Sequence, residues 1–235
     1  MISERQFSTL YTSFWSTAMP LGDAMVRAMN LRLERFAEPL DAASATALNG
    51  FVNELAFRLA ESSYTAGSPS IDTTFVHAIY PTTEAYIMRL PRAVVPENAS
   101  ERATAGQDAL ALAETLLAAI RHSSGKEPMC FRPKFSGCGI HDDCEGDILI
   151  GEELWEVKSG DRQFRLTDVR QILIYCALNH FSVKHGIERY RLVNQRVGVM
   201  ASGMVRDLSS SGAGCEPQTL FEEIIDFLSL QEVST

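Results

Sequence analysis

The residue types that could do chemistry gather in one short stretch. Gly146-Asp147 is followed nine residues later by Glu156-Val157-Lys158. If both segments are strands, side chains alternate faces, so Glu156 and Lys158 point one way and Trp155 and Val157 the other, toward a core. A tight connection at Gly151-Glu152-Glu153 folds the segments into a hairpin and brings Asp147 alongside the polar pair. Two carboxylates and an ammonium then converge at one end of a small sheet. Carboxylate oxygens suit Mg²⁺, with Mn²⁺ as a substitute. Such an ion acidifies water and neutralises charge developing on a phosphate, while a lysine beside it orients the nucleophile or stabilises the same charge. That is the chemistry of metal-assisted phosphodiester hydrolysis. Any half-buried strand shows the same alternation, however, and on a surface hairpin Glu156 and Lys158 would only face water.

The elements that must position these groups form a regular series. A helix is expected from about Ser100 to Arg121, with Ala109, Leu112, Leu116 and Ile120 on one face, ended by Ser123-Ser124-Gly125. Three strand-like runs follow, near Met129 to Phe135, Gly146 to Ile150 and Leu154 to Lys158. The next helix starts at Thr167 as N-cap, with Asp168 in its first turn where the dipole favours an anion, and runs to about Phe181. A strand from Tyr190 to Val199 comes next, and a last helix opens on the capping-box pattern Thr219-Leu220-Phe221-Glu222. The order is helix, three strands, helix, strand, an α/β arrangement.

The first part of the chain reads differently. Apolar residues recur at helical spacing through Phe7, Leu10, Tyr11, Phe14 and Trp15, again through Met25, Met29, Leu31 and Phe36, and through Phe51, Leu55 and Leu59. Pro20 and Pro39 punctuate them, with Asp41 as an N-cap. A small-residue loop is expected at Ser62 to Ser70, then two short strands, Phe75 to Tyr80 and Ala85 to Leu90, bounded by Pro81 and Pro91.

Composition bounds the function. The 235 residues are 46% hydrophobic and 22% charged, ordinary for a globular protein and unlike a disordered chain or a disulfide scaffold. No stretch reaches the ~20 apolar residues of a membrane span, the N-terminus has no export leader, and five irregularly spaced cysteines fit a reducing interior. A cytoplasmic location is the expectation. The net charge of -9 disfavours tight nucleic-acid binding by bulk electrostatics. Between Glu156 and Met200 the sign reverses: Lys158, Arg162, Arg165, Arg170, Lys184, Arg189, Arg191 and Arg196 face only Glu156, Asp161, Asp168 and Glu188. Any contact with nucleic acid must come from such a local patch.

On these residues the chain resembles the PD-(D/E)XK nuclease superfamily, within it the RecB-like, lambda-exonuclease-like branch. Asp147 with Glu156-Val157-Lys158 is similar to the Asp…Glu-x-Lys signature, and Gln171-Ile172-Leu173-Ile174-Tyr175 to that branch's QxxxY motif, its two ends on one helical face. The resemblance covers roughly residues 100 to 199. It implies a restriction-endonuclease-like core over residues 97–235, preceded by a mainly helical region, residues 1–96, through which a protein partner could bind. It implies an Mg²⁺-dependent deoxyribonuclease, with DNA as partner, in DNA processing, repair or antiviral defence. Asp147, Glu156 and the Val157 carbonyl would hold the metal, Lys158 would position water or stabilise charge, and Gln171 and Tyr175 would orient the site and the strand. The family often adds an acidic residue from the helix before the sheet, and Glu114 takes that place. Gly146 stands where the family has proline. Arg162, Arg165 and Arg170 would grip phosphates.

Plainer readings stay beside these. Tyr175 could be core and Gln171 exposed, and the arginines could be solvated loop charge. Cys130, Cys138, His141 and Cys144 cluster before the hairpin, with Cys176 and Cys215 further on, but Cys138-x-x-His141-x-x-Cys144 matches neither a zinc knuckle nor the iron–sulfur spacing of some RecB-like proteins. Gly137-Cys138-Gly139 reads as a bend where the backbone needs room. Two other functions compete: a non-catalytic binding or scaffold subunit, and a nuclease directed at RNA. Oligomeric state is open.

Overall fold

The computed structural model describes residues 1–67, 71–123, 127–182 and 184–232. In chain order the helices are α1 (Glu4–Leu10), α2 (Thr12–Ala18), α3 (Gly22–Asn30), α4 (Asn49–Thr65), α5 (Thr73–Ile87), α6 (Ala99–Ser123), α7 (Leu166–Ser182), α8 (Val205–Gly212) and α9 (Pro217–Glu232). The strands are β1 (Glu34–Arg35), β2 (Met129–Phe131), β3 (Lys134–Phe135), β4 (Cys144–Glu145), β5 (Ile148–Ile150), β6 (Glu153–Lys158), β7 (Arg189–Asn194) and β8 (Val199–Met204). Six strands form one mixed sheet in the order β1-β8-β7-β6-β5-β2, and β3 and β4 pair in a small separate ribbon. The neighbours β6 and β7 are parallel, joined by the α7 crossover, and the other pairs are antiparallel.

Both faces of this sheet are covered, so each strand supplies apolar residues to two layers. Alternation sends Ile148, Ile150, Trp155, Val193 and Met200 to one layer, with the apolar sides of α4, α5 and α6. Leu149, Leu154, Tyr190, Leu192, Val199 and Ala201 go to the other, with residues of α1, α2, α3, α7, α8 and α9. Residues 1–96 therefore supply helices to both layers. The run expected as one strand, Met129 to Phe135, divides into β2 in the sheet and β3 in the ribbon, and the sheet's own elements after residue 98 begin α6, β2, β5, β6, α7 and β7.

Several elements differ from their sequence reading. Residues 73–87 are one helix rather than two strands, despite Pro81 within it. The β-branched and aromatic run Phe75-Val76-His77-Ala78-Ile79-Tyr80 favours strand locally. Packing overrides that preference: Val76, Thr83 and Ile87 are buried, Tyr80 packs on Phe51 with ring centroids 4.9 Å apart, and Asp72 caps the start by accepting from the amides of Thr74 and Phe75. The run Tyr190 to Val199 is two strands, β7 and β8, joined by a turn with Gly198 at φ +70°. Glu34–Arg35 adds an edge strand, and α8 was not read from the sequence at all. Asp41 caps no helix; instead Asp108 accepts from the amides of Ala43 and Ser44 and so anchors that loop. The last helix begins at Pro217, before the proposed capping box, with proline in the first turn where its missing N–H is no loss. The loop expected from Ser62 starts later, since α4 continues to Thr65, and its last residues, like Ser124 and Gly125, lie outside the described residues.

Candidate functional site

The hairpin that carries the site is built as its sequence demands. Gly151 takes φ +55°, a left-handed conformation that glycine adopts without strain, and closes the turn between β5 and β6. Ile148 pairs with Trp155, Leu149 with Leu154 and Ile150 with Glu153. The ladder ends at the first of these pairs, and Asp147 lies in the bend just before it. The Asp147 carboxylate accepts a hydrogen bond of 2.6 Å from the Val157 amide. Its carbonyl accepts from the Arg132 amide at 2.9 Å, so the residue is clamped from both neighbouring strands.

Lys158 is the hub. Its Nζ donates to Glu156 Oε1 at 2.6 Å and to Gln171 Oε1 at 2.7 Å, and lies 3.8 Å from Asp168 Oδ1. Gln171 is buried on α7 and not exposed. Tyr175, one turn along, is buried too and stacks on Phe135 with centroids 5.2 Å apart. Glu156 is 4% exposed, and its Oε2 is buried with no hydrogen-bond partner. A buried carboxylate oxygen without a partner is costly unless a cation or proton satisfies it.

The electrostatics follow from this burial. Desolvation, and then the negative charge of Asp147, push the Glu156 carboxyl up to about 8, against the pull of Lys158. Asp147 is pushed up as well, by burial first, with Lys158, the Val157 amide and Arg132 opposing. Burial by itself would lower the lysine, but Glu156, Asp168 and Asp147 together raise it, so its ammonium is held charged. Burial would raise Asp168, yet hydrogen bonds from Arg162 and the charge of Lys158 hold it below the ordinary range. Asp168 thus adds to the hold that Glu156 has on the lysine's charge. Replacing Gln171 with alanine removes one of the two close acceptors fixing Nζ. The buried ammonium is then one acceptor short, and the expected result is a loss of stability of about 1–3 kcal/mol; thermal unfolding checks it.

The site opens into a cleft of about 750 Å³ whose walls come from α1, α4, α5, β6 and the loops beside them. The acidic residues that join Asp147 and Glu156 there are Glu4 of α1 and Glu54 of α4, not Glu114. Glu114 is exposed on α6 and does not line the cleft. Glu54 is held by Arg132 at 3.0 Å and by Arg58 at 2.6 Å. Nothing local in the sequence marks it; its i,i+4 pairing with Arg58 looks like ordinary helix decoration. Arg132 also escaped notice. It sits at φ +52°, with its guanidinium 4.8 Å over the Phe57 ring and paired to Glu54 and Glu61.

The three arginines expected to grip phosphates divide. Arg162 lines the cleft, but its guanidinium is engaged by both oxygens of Asp168, at 2.7 and 2.9 Å. Arg165 is exposed, and it is its backbone amide that bonds Asp168. Arg170 points away from the cleft: it lies 5.2 Å over the Trp15 ring and donates to the Ser8 carbonyl at 3.0 Å, fastening α1 and α2 to α7. Its role is structural. Arg170→Ala is expected to destabilise the fold by about 1–3 kcal/mol through loss of that packing and charged hydrogen bond; the denaturation midpoint checks it. Two more of the basic residues after Glu156 are internal, Arg191 and Arg196, buried against Glu153 and the Ser159 carbonyl, while Lys184 and Arg189 are exposed.

The cysteines are all free thiols among the described residues. Cys130 is exposed on β2 and Cys138 is half-buried. The bend at Gly139 does need room: with φ +53°, an added Cβ would lie 2.2 Å from the Leu228 carbonyl oxygen. His141 and Cys144 are buried together with Glu4 nearby. No helix among the described residues is long and apolar enough to cross a membrane.

Compared with protein-family models, with curated proteins and with solved structures, the chain finds no match. The geometry of the cleft is what a functional reading must rest on.

Proposed function

We propose that the protein is a divalent-metal-dependent nuclease that hydrolyses DNA phosphodiester bonds, with the restriction-endonuclease-like core of the PD-(D/E)XK proteins. The observation that carries this reading is the buried, unpartnered Glu156 Oε2 beside the Asp147 carboxylate and the Lys158 ammonium. An all-oxygen carboxylate pair fits Mg²⁺ or Mn²⁺, which bind through one or two carboxylates plus water and phosphate. Asp147 and Glu156 would hold the ion, with the Val157 carbonyl as a further donor and Glu54 on the same cleft wall.

When bound, the ion supplies Lewis acidity toward the phosphodiester and toward a water molecule. In the hydrolysis, water oxygen adds to phosphorus, the bond to one bridging oxygen breaks, and the departing oxygen takes up a proton. Lys158 offers a fixed positive charge to the phosphate as negative charge grows on it. Because Nζ is already held by Glu156 and Gln171, little reorganisation is needed at that moment. Glu4, Glu54, Asp147 and Glu156 line the cleft together with Arg5, Arg132, Lys158 and Arg162. With as many basic as acidic side chains there, a divalent cation adds positive charge that favours a phosphodiester in the cleft, despite the acidic chain as a whole.

The test is incubation of the purified protein with plasmid, linear and single-stranded DNA and with RNA, in Mg²⁺, Mn²⁺ or EDTA. Cleavage of DNA that EDTA abolishes is expected. Cleavage of RNA alone would overturn the DNA assignment. No cleavage under any condition would overturn the enzyme reading and favour a scaffold that keeps the fold.

A further inference from the structure

A second constellation lies on the α7 side of the sheet, and of its members only Glu4 reaches the cleft. Glu4 opens α1, His141 lies in the loop after the Gly139 bend, and Cys144 is on β4. One ligand atom from each lies within 4.8 Å of the other two. The segments are brought together by backbone pairing: the Ile2 amide donates to the Ile140 carbonyl at 2.8 Å, and the Asp142 amide donates to the Ile2 carbonyl at 3.0 Å.

The imidazole is set up as a ligand. His141 is 2% exposed, and its Nδ1 lies 2.7 Å from the Asp142 carbonyl oxygen. A carbonyl only accepts, so Nδ1 carries the hydrogen and Nε2 keeps its lone pair. That Nε2 is buried and has no partner. A backbone carbonyl fixing one ring nitrogen while the other is left to bind is the usual arrangement of metal-bound histidine.

We propose that Glu4, His141 and Cys144 bind a single Zn²⁺ ion, separate from the Mg²⁺ site of the cleft. Thiolate, imidazole and carboxylate together select a borderline-soft tetrahedral ion; Mg²⁺ takes oxygen donors and would not compete. Metal–ligand lengths of about 2.0–2.3 Å place tetrahedral donors roughly 3.3–3.8 Å apart, so the site closes by a small contraction. With three protein ligands, the fourth position falls to water. Ser3, Glu4 and Arg5 form part of the cleft wall. The ion therefore pins the start of the chain to the β3–β4 ribbon and fixes that wall, a clip across a long loop of the kind that stabilises by restricting the unfolded chain.

The test is titration of the chelator-stripped protein with Co²⁺, the spectroscopic stand-in for Zn²⁺. One equivalent should bind and give a thiolate-to-cobalt charge-transfer band, which Zn²⁺ displaces and excess Mg²⁺ does not. The band should vanish in Cys144→Ser, persist in Cys138→Ser and Asp147→Asn, and require at least about tenfold more cobalt in His141→Gln. Zn²⁺ should raise the melting temperature of the native protein but not of Cys144→Ser. Should Cys144→Ser fail to fold, mercurial modification of native thiols must release the bound ion. Absence of a band, a band that survives Cys144→Ser, or an ion that resists the mercurial overturns the proposal. Because the readout is binding of cobalt and not DNA cleavage, either reading can fail without the other.

Discussion

Asp147→Asn is expected to lower DNA cleavage at saturating Mg²⁺ by about a thousandfold or more while the fold persists. The substitution keeps size and shape, and the asparagine oxygen can still accept the 2.6 Å hydrogen bond from the Val157 amide. What disappears is the charge that would hold the proposed ion. A catalytic metal contributes several kcal/mol of transition-state stabilisation, and each 1.36 kcal/mol is a factor of about ten in rate. Rates across a range of Mg²⁺ concentrations, with circular dichroism and thermal unfolding as controls, measure it. Near-normal cleavage in a folded variant would remove Asp147 from the chemistry. Lys158→Ala would be a less clean test, since it also strips Glu156 and Gln171 of their shared donor.

The second large effect is in pH. Glu156 is raised from an ordinary 4.5 to about 8, chiefly by burial and then by Asp147. The ion needs the carboxylate, so it must displace that proton. Mg²⁺ affinity is expected to fall about tenfold for each pH unit below about 8, and more steeply where Asp147 also holds a proton. Stability runs the opposite way without metal. Between 4.5 and about 8 the folded protein keeps a proton on Glu156 that the unfolded chain releases. Metal-free stability should therefore decline as pH rises through that window, and Mg²⁺ should restore it increasingly toward the alkaline end. Melting temperatures with and without Mg²⁺ at a series of pH values measure both slopes. Glu156→Gln, neutral throughout, should flatten the first slope and abolish the Mg²⁺ response. A metal-free melting temperature that rises with pH across the window would show that Glu156 is not the proton holder.

Local periodicity carries a definite part of this protein. The period of two on β6 puts Glu156 and Lys158 on one side with Trp155 on the other, and Gly151 permits the turn that brings the Asp147 carboxylate to the Val157 amide. Gln171 and Tyr175, four apart, share the side of α7 that meets the strand. Each of these relations spans a few residues or one hairpin, so sequence spacing expresses it directly.

The remainder depends on which distant surfaces pack together. Glu54 is among the acids of the cleft because α4 forms part of its wall, while α6 turns Glu114 outward. Arg170 sits one residue from Gln171 yet faces the opposite way, onto Trp15. Residues 73–87 are helical because α4 offers them an apolar side, although their own preference is for strand. Glu4 meets His141 and Cys144 because the Ile2 backbone pairs with the loop that follows the Gly139 bend. Burial of apolar surface has no direction along the chain, so no short spacing records such meetings; they exist once the layers close on the sheet.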